Sequence, residues 1–281
     1  MKIATGIVTF NPEINRLKMN IEAIAEQTDL TVIIDNGSNN LADIKKLADD
    51  SRVQLISNRE NLGIAKALNQ LFEYAQENNF QLVLSLDQDS ICPSDLIEKF
   101  SRFTDVSVGI ICPITNYENI GNKSLILRND FREVDWCITS ASLTKVKIWE
   151  QVGGFDESLF IDLVDYDFSI RVRREGYKII QDQNVAIQHE LGNLEEKILG
   201  QKKILVGNHN PIRHYYYVRN TVYLRRKRIL GFLNSIIRIA KLYGRTILFE
   251  SEKMTKVRYM NKGIIKGARM KIVVERDNDD N

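Results

Sequence analysis

The hydrophobic pattern of the first 112 residues alternates between two periods. Short apolar runs rich in β-branched residues predict strands, and segments with an apolar residue every three or four positions predict helices. The predicted strands are 2–9, 31–34, 53–56, 82–86 and 108–112, and the predicted helices are 13–27, 41–48, 62–76 and one opened by Pro93. This alternation predicts βαβ units, and therefore an α/β fold with a mainly parallel sheet flanked by helices.

After residue 112 the pattern is less regular. It predicts strands over 131–139, 177–180 and 185–188, helices over 145–151 and 165–175, and a mobile polar loop over 116–129. From about Leu194 it predicts helix to near the end, with a break at 208–211. We therefore expect one α/β domain over residues 1–207 and a basic helical region over 208–281.

Charge is distributed unevenly along this pattern. Residues 1–220 hold 24 Lys and Arg against 31 Asp and Glu, whereas residues 221–276 hold 15 against 3. Residues 224–249 interleave the basic side chains with Ile, Leu and Phe, a pattern typical of a helix lying on an anionic membrane surface. A dimer-forming helix pair or a solvated helical face is the alternative. No nucleic-acid-binding motif accompanies the segment, so nucleic acid is not an expected partner.

The remaining composition indicates a cytoplasmic protein. Cys92, Cys112 and Cys137 are odd in number and lack metal-type spacing, which favours buried free thiols in a reducing compartment. No apolar run is long enough to cross a membrane, and the first residues form a strand pattern instead of a signal peptide.

Polar residues follow four of the predicted strands directly, at Thr9–Asn11, Asp35–Ser38, Asn58–Asn61 and Asp87–Ser90. Ligands of parallel α/β sheets bind where the carboxyl ends of the strands meet. We therefore expect all four clusters to line one site.

Asp87 and Asp89 are the first chemical signal, because a strand delivers two carboxylates one residue apart. Carboxylate oxygens bind hard divalent cations, which neutralise phosphate charge. The alternative is that Asp87 caps the next helix or a turn before Pro93.

A second signal is the acidic start of the helix near Asp165 and Asp167. Such carboxylates stabilise the helix dipole, but one of them can also act as a general base.

The motifs TFNP, IIDNGSNN, NRENLGIAKALNQ, LDQDS and GGFDESLFIDLVDYD occur in this order, and together they resemble the family 2 glycosyltransferases of the GT-A fold over about residues 1–220. A narrower resemblance, to bacterial rhamnosyltransferases, rests on the residues of three segments, LDQDS, LFIDLVDYDFSIR and RHYYYVRN. The resemblance implies an inverting, metal-assisted transfer of a sugar from a nucleotide donor to a hydroxyl of a glycan or lipid-linked acceptor in surface-polysaccharide synthesis. The expected donor is dTDP-β-L-rhamnose, and the expected location is the cytoplasm or the inner face of the cell membrane.

The resemblance also implies roles for individual residues. The nucleotide is expected to bind in the half formed by residues 1–112, and the acceptor in residues 113–207. The expected nucleotide-binding residues are Thr9, Asn11, Asp35, Asn58, Asn61, Gly63, Lys66, Asp87 and Gln88. The expected ligands of Mn²⁺ or Mg²⁺ are Asp87, Asp89 and His189. Asp165 is the expected base, although Val164 stands where the family often has Glu. The expected sugar or acceptor residues are Trp136, Ser140, Asp167, Arg213 and Arg219; Asp167 is also the second candidate base, and Trp136 is alternatively a core residue.

Three alternatives remain at this point. The same fold could use a UDP-sugar donor and transfer a hexosyl or galactofuranosyl group. A nucleotidyltransferase would carry a Gly-rich loop with Arg and Lys after its first strand, where this chain has TFNPE. A non-catalytic subunit of a glycan-assembly complex would not need to keep Asp87, Asp89 and Asp165. A homodimer is compatible with each alternative.

Overall fold

The computed structural model describes residues 1–103, 105–117, 130–189, 195–199 and 202–272 of the 281-residue chain. These residues fall into two compact units, the first within Met1–Phe160 and Val164–Glu190, the second within Ile161–Leu163 and Leu191–Asn281. The structure therefore groups the described residues after position 190 with the C-terminal helices, and not with the sheet.

The first unit is an α/β sheet with flanking helices. Its elements are β1 (Ile3–Thr9), α1 (Ile14–Ile24), β2 (Leu30–Asp35), α2 (Leu41–Leu47), β3 (Val53–Ser57), α3 (Ile64–Glu77), β4 (Leu82–Asp87), α4 (Leu96–Phe100), β5 (Val108–Tyr117), β6 (Phe131–Glu133), β7 (Ser142–Lys145), α5 (Val146–Gln151), α6 (Val164–Arg174) and β8 (Lys178–His189). The strand order is β3-β2-β1-β4-β7-β5-β8-β6. β3, β2, β1 and β4 pair in parallel, β5 pairs in parallel with β8, and β7 and β6 pair antiparallel with their neighbours.

The sheet register determines where the site lies. Thr9 is paired with Asp35, Asp35 with Ser57, and Val8 with Asp87. The four parallel strands therefore end nearly level, and the loops that follow them start from one edge. Aliphatic side chains of these strands and of α1 and α4 form the buried core beneath.

The second unit contains an antiparallel pair of strands and three helices. The elements are β9 (Glu195–Leu199), β10 (Lys202–Val206), α7 (Pro211–Arg226), α8 (Phe232–Phe249) and α9 (Lys253–Arg269). Val218, Leu242 and Met260, one from each helix, form a small buried cluster. Within the described residues, no helix is long and apolar enough to cross a membrane.

Four predictions from the second half were wrong in detail. The strand predicted over 131–139 ends at Glu133, and the strands predicted over 177–180 and 185–188 are one strand, β8. β7 was not predicted. The helix predicted from Leu194 is the β9–β10 pair, because pairing between strands outweighs the helical propensity of its Glu, Lys and Leu residues. Most of the loop predicted over 116–129 lies outside the described residues.

Close packing of α3 on β1 depends on the absence of a side chain at Gly6. A Cβ there would overlap the side chain of Leu71, which is fully buried. We expect Gly6→Ala to lower the free energy of unfolding by about 1–3 kcal/mol, the usual cost of overpacking a core. Urea unfolding followed by circular dichroism measures this.

Gly244→Ala is the matched control, because a Cβ at this position in α8 meets no atom within 4 Å. Alanine also favours helix over glycine by up to about 1 kcal/mol. An equal loss of stability in both variants contradicts the packing explanation.

Candidate active site

Asp35 organises the loop that follows β2. Its side chain is 0% exposed; Oδ1 accepts a hydrogen bond from Thr9 Oγ1 at 3.0 Å, and Oδ2 accepts the backbone N–H groups of Gly37 at 3.2 Å and Ser38 at 3.0 Å. A carboxylate has about four acceptor positions, and three are occupied here. These bonds hold the buried carboxylate, and with it the loop after β2, at the edge of the sheet.

Asn11 joins the loops after β1 and β2. Its backbone N–H donates to Ser38 Oγ at 2.8 Å, and its Oδ1 accepts the backbone N–H of Asn39 at 2.8 Å. The preceding residue, Phe10, donates its N–H to Gln88 Oε1 at 2.9 Å, which connects the same loop to the one after β4. Three of the predicted polar clusters are therefore held together by hydrogen bonds.

The fourth cluster joins through a network of side-chain amides centred on Asn36. Its Oδ1 accepts from Asn58 Nδ2 at 3.1 Å, and its Nδ2 donates to the carbonyl of Gly63 at 3.1 Å and to Asn61 Oδ1 at 3.3 Å. Asn58 also exchanges two 2.9 Å hydrogen bonds with Gln70. Asn36 is 3% exposed; it belongs to the predicted cluster Asp35–Ser38, although no individual role was assigned to it.

Gly63 allows α3 to begin against the chain segment that precedes α6. It has φ 86°, and an added Cβ would lie 2.6 Å from the Phe160 ring and its carbonyl oxygen. The next residue, Ile64, donates its backbone N–H to that carbonyl at 2.7 Å. Only glycine fits this position without strain.

Lys66 pairs with a carboxylate. Its Nζ lies 3.0 Å from Glu157 Oε1, which also accepts from Asn69 Nδ2 at 2.9 Å. The hydrogen bond to Glu157 raises the pKa of Lys66, and partial burial opposes it. Lys66 is therefore charged beside the Gly63 loop, and Glu157 is a site residue that the sequence did not suggest.

Backbone hydrogen bonds fix the two acidic residues after β4. The carbonyl of Asp87 accepts from Asn20 Nδ2 at 2.8 Å, and the carbonyl of Asp89 accepts from Arg16 Nε at 2.7 Å. Ser140 Oγ lies 3.4 Å from the Asp87 N–H and 2.6 Å from Ser90 Oγ. Ser140 therefore positions the loop that carries the two carboxylates.

The two carboxylates of this loop are suitable ligands for a hard divalent cation, but they do not form a complete metal site. Among the side chains that the structure describes, Asp89 has no hydrogen bond or ion pair, and both carboxylates are half-buried. Within the same residues no three His, Cys, Asp or Glu side chains are grouped as a metal site. His189 ends β8 with its backbone paired to Tyr117, and its side chain is outside the described part. A cation would thus take further oxygen ligands from phosphate or water.

Asp165 lies in the first turn of α6 and is half-buried, with Oδ1 accepting the backbone N–H of Tyr166 at 2.8 Å. The Tyr166 ring contacts Trp136 edge-on, with centroids 5.9 Å apart. Trp136 is 44% exposed, which excludes the alternative that it is a core residue. Asp165 is thus partly accessible, and Trp136 is packed against its neighbour Tyr166.

Asp167 occupies a different environment although it is only two residues further along α6. It is 0% exposed, and Oδ2 lies 2.8 Å from both Nε and Nη2 of Arg171. Arg171 also donates from Nη1 to the carbonyl of Val152 at 2.6 Å. A buried, ion-paired carboxylate cannot meet an acceptor hydroxyl. This placement removes Asp167 as a candidate base or acceptor residue.

Arg213 and Arg219 lie on α7, in the second unit. Arg213 Nε is 3.3 Å from Asp162 Oδ1. Arg219 is buried, with its guanidinium 4.6 Å from the Tyr216 ring centroid and Nε donating to Asn220 Oδ1 at 2.9 Å. Arg219 therefore stabilises the helical unit, whereas Arg213 lines an opening in it.

Comparison with known proteins decides the family. Residues 5–159 match the family model "Glycosyl transferase family 2". The chain belongs to this family.

This family 2 glycosyltransferase is 33% identical over 276 residues to the dTDP-rhamnosyl transferase RfbF of Shigella flexneri, across 92% of each chain. Its fold is similar to that of S. aureus TarS 1-349 in complex with UDP-GlcNAc, with a TM-score of 0.63, 15% identity and coverage of 94% of this chain and 82% of that one. It is also similar to the mannosyltransferase PcManGT from Pyrobaculum calidifontis in complex with GDP-Man and Mn²⁺, with a TM-score of 0.60, 14% identity and coverage of 95% and 86%. These likenesses confirm the GT-A fold.

The ion pair inside α6 of the glycosyltransferase can be tested by stability. Replacing Arg171 by Met removes the buried ion pair that it makes with Asp167, and breaking such a pair typically costs about 3–5 kcal/mol. We expect Arg171→Met to lose this much free energy of unfolding in urea, as followed by tryptophan fluorescence.

Arg173→Met is the control on the same helix. Arg173 pairs with Asp135, an exposed residue, and such surface pairs contribute about 0–1 kcal/mol. If both variants lose similar stability, the ion pair between Arg171 and Asp167 does not contribute the stability expected of a buried pair.

Proposed function

We propose that this glycosyltransferase transfers L-rhamnose from dTDP-β-L-rhamnose to a hydroxyl of a glycan or lipid-linked acceptor in bacterial surface-polysaccharide synthesis. The observation that carries the proposal is the 33% identity to the Shigella flexneri rhamnosyl transferase across 92% of both chains. The hydrogen-bonded loops at the carboxyl edge of β3, β2, β1 and β4 support it, since they offer one polar site of the kind a nucleotide needs.

In this proposal the donor binds along that edge. Thr9, Asn11 and Asp35 form the pocket floor, where Asp35 fixes the loop that faces the base. The amide network places Asn58 and Asn61 beside base and ribose, and Gly63 lets the backbone come close. Lys66, Asp87 and Gln88 complete the proposed nucleotide site.

Asp87, Asp89 and His189 would hold Mg²⁺ or Mn²⁺, which supplies positive charge to the leaving diphosphate. The main support for this part of the proposal is the Asp89 carboxylate, which makes no hydrogen bond or ion pair with the described residues. A cation here lowers the energy of the departing nucleotide, because that group gains negative charge as its bond to the sugar breaks.

Asp165 is the proposed general base. The acceptor oxygen forms a bond to the anomeric carbon while the bond from that carbon to the diphosphate oxygen breaks, and the acceptor proton passes to the Asp165 carboxylate. One displacement inverts the anomeric configuration, so the β-linked donor gives an α-L-rhamnoside. Trp136, which contacts the neighbouring Tyr166 and is partly exposed, is proposed to offer an aromatic face to the sugar.

The helical unit is proposed to bring the enzyme to the inner face of the cell membrane. α8 exposes the apolar residues Phe232, Leu233, Ile236, Ile237, Ile247 and Leu248. Arg225 and Lys227, among others, supply the positive charge that anionic lipids attract. A location in the cytoplasm follows from this proposal.

The donor is tested first by thermal shift with dTDP, UDP, GDP or CDP, each with Mn²⁺, Mg²⁺ or EDTA. We expect metal-dependent stabilisation by dTDP above the others, because a ligand at about 100 times its Kd stabilises the fold by about 2.7 kcal/mol. Asp89→Asn should remove the metal dependence. A preference for UDP would replace rhamnose by a UDP-sugar, and no response to any nucleotide would contradict enzyme function.

The base is tested with Asp165→Asn. Loss of general base catalysis costs about 10²–10⁴-fold, so we expect turnover to fall by at least that range while dTDP still stabilises the variant. Glu175→Gln, at an exposed position directly after the same helix, should keep nearly wild-type turnover. A near-normal rate for Asp165→Asn shows that another group takes the proton.

A further inference from the structure

A cavity of about 680 Å³ lies within the helical unit, between faces of α7 and α8. Its cationic lining consists of Arg213, Arg238, Lys241 and Arg245, and Asp162 is the one acidic residue that the described lining contains. On α8 the three basic residues recur at intervals of three and four, so they share one face of the helix. The cavity therefore carries a concentrated positive charge.

Two described carboxylates pair with part of that charge and leave Lys241 without an ion pair among the described residues. Asp162 pairs with Arg213 at 3.3 Å. Glu250 is buried and shared among Lys256 Nζ at 2.9 Å, His214 Nε2 at 2.9 Å and Arg245 Nε at 3.5 Å. Lys241 is exposed and has no hydrogen bond or ion pair in the part of the chain that the structure describes.

Two histidines also line the cavity. Burial, and after it the charges of Arg213, His214 and Arg245, lower the pKa of His209 to about 4 against the opposing carboxylate of Glu250. Burial lowers the pKa of His214 as well, against the opposing effects of the Glu250 carboxylate and the hydrogen bond to the Asn210 carbonyl, and the charges of Lys256 and Arg245 add smaller lowering effects. The His209 ring is therefore neutral at neutral pH.

The rest of the lining is suited to more than an anion. Leu242, Leu248 and Phe249 form an apolar wall, and Leu248 also belongs to the exposed apolar residues of α8. The lining also contains a polar group, Asp162 Oδ2, which is buried and has no hydrogen-bond partner among the described residues. The cavity thus offers cations for phosphate oxygens, a carboxylate oxygen for a hydroxyl, and apolar surface.

We propose that this cavity binds the diphosphate of a lipid-linked acceptor, with Arg238, Lys241 and Arg245 on the phosphate oxygens, Asp162 on a sugar hydroxyl, and Leu248 and Phe249 against the lipid chain. A diphosphate is the shared chemistry, and the apolar wall assigns its source to a lipid and not to a free nucleotide. The proposal rests on the proposed function, since it supplies that reaction with an acceptor.

Inorganic pyrophosphate is the first probe, added to the full-length protein in EDTA so that no metal draws it to the donor site. The three histidines of the chain, assigned by single His→Gln variants, separate the sites in an NMR titration. Pyrophosphate should raise the pKa of His209 and His214, since an opposite charge nearby typically shifts a pKa by about 1–3, and leave His189 unchanged. Unchanged His209 and His214 overturn the proposal.

Two lysine substitutions, one in the lining and one outside it, test whether pyrophosphate binds in the cavity. Lys241→Gln should weaken pyrophosphate binding by about 3- to 10-fold, the effect of losing one solvent-exposed charged contact. Lys266→Gln, an exposed position on α9 away from the lining, should leave binding unchanged. Equal effects of the two variants indicate attraction by net charge alone and overturn the site.

Vesicles distinguish the two sources of diphosphate. Phosphatidylcholine vesicles with a small fraction of long-chain alkyl diphosphate are compared with vesicles brought to equal surface charge by phosphatidylglycerol. Lys241→Gln should weaken binding to the first more than to the second, and equal weakening overturns the lipid assignment. If dTDP stabilises the enzyme but His209 does not respond to pyrophosphate, the cavity proposal fails while the proposed function stands.

Discussion

Parallel pairing of β3, β2, β1 and β4 is the constraint on which the candidate site depends. Because these strands end level, every polar residue that follows one of them starts from the same edge of the sheet. The loops then hold one another: Asp35 binds the loop after β2 to Thr9, and Gln88 ties the loop after β4 to Phe10. A loop fixed in this way keeps its shape before a ligand arrives, which lowers the entropy lost on binding.

Local periodicity explains why the first half of the fold could be predicted. Within each βαβ unit there, the hydrophobic pattern of its own residues indicates a buried strand followed by an amphipathic helix, as in β1 and α1. β7 has no such local signal, since its four residues become a strand only by pairing with β4 and β5. The five-residue strands β9 and β10 form by pairing with each other, which a helical spacing of apolar residues does not reveal. Predicted helix at 194–207 failed for this reason.

The site residues show the same difference between local sequence signals and contacts formed only on folding. Asp87 and Asp89 could be identified because a strand delivers them. The position of Asn36 after β2 indicated that it lies at the site, but its role at the centre of the amide network depends on partners that only folding brings near, and the same holds for Glu157 as a whole. Asp165 and Asp167 look equivalent in sequence, yet a step of two residues turns a side chain to the opposite side of a helix. One thus remains accessible and the other is neutralised by Arg171.

The charge asymmetry of the sequence acquires a structural basis in α8. Its basic side chains at 238, 241 and 245 face the cavity, whereas its exposed apolar side chains at 236, 237 and 247 occupy a neighbouring face. A helix that merely covered a solvated surface would not need both, because apolar side chains facing water add nothing to its stability. An amphiphile with a charged head requires this combination, and Leu248 joins the two faces at the mouth of the cavity. The basic composition of the helical unit is therefore better explained by a ligand with both characters than by charge for solubility.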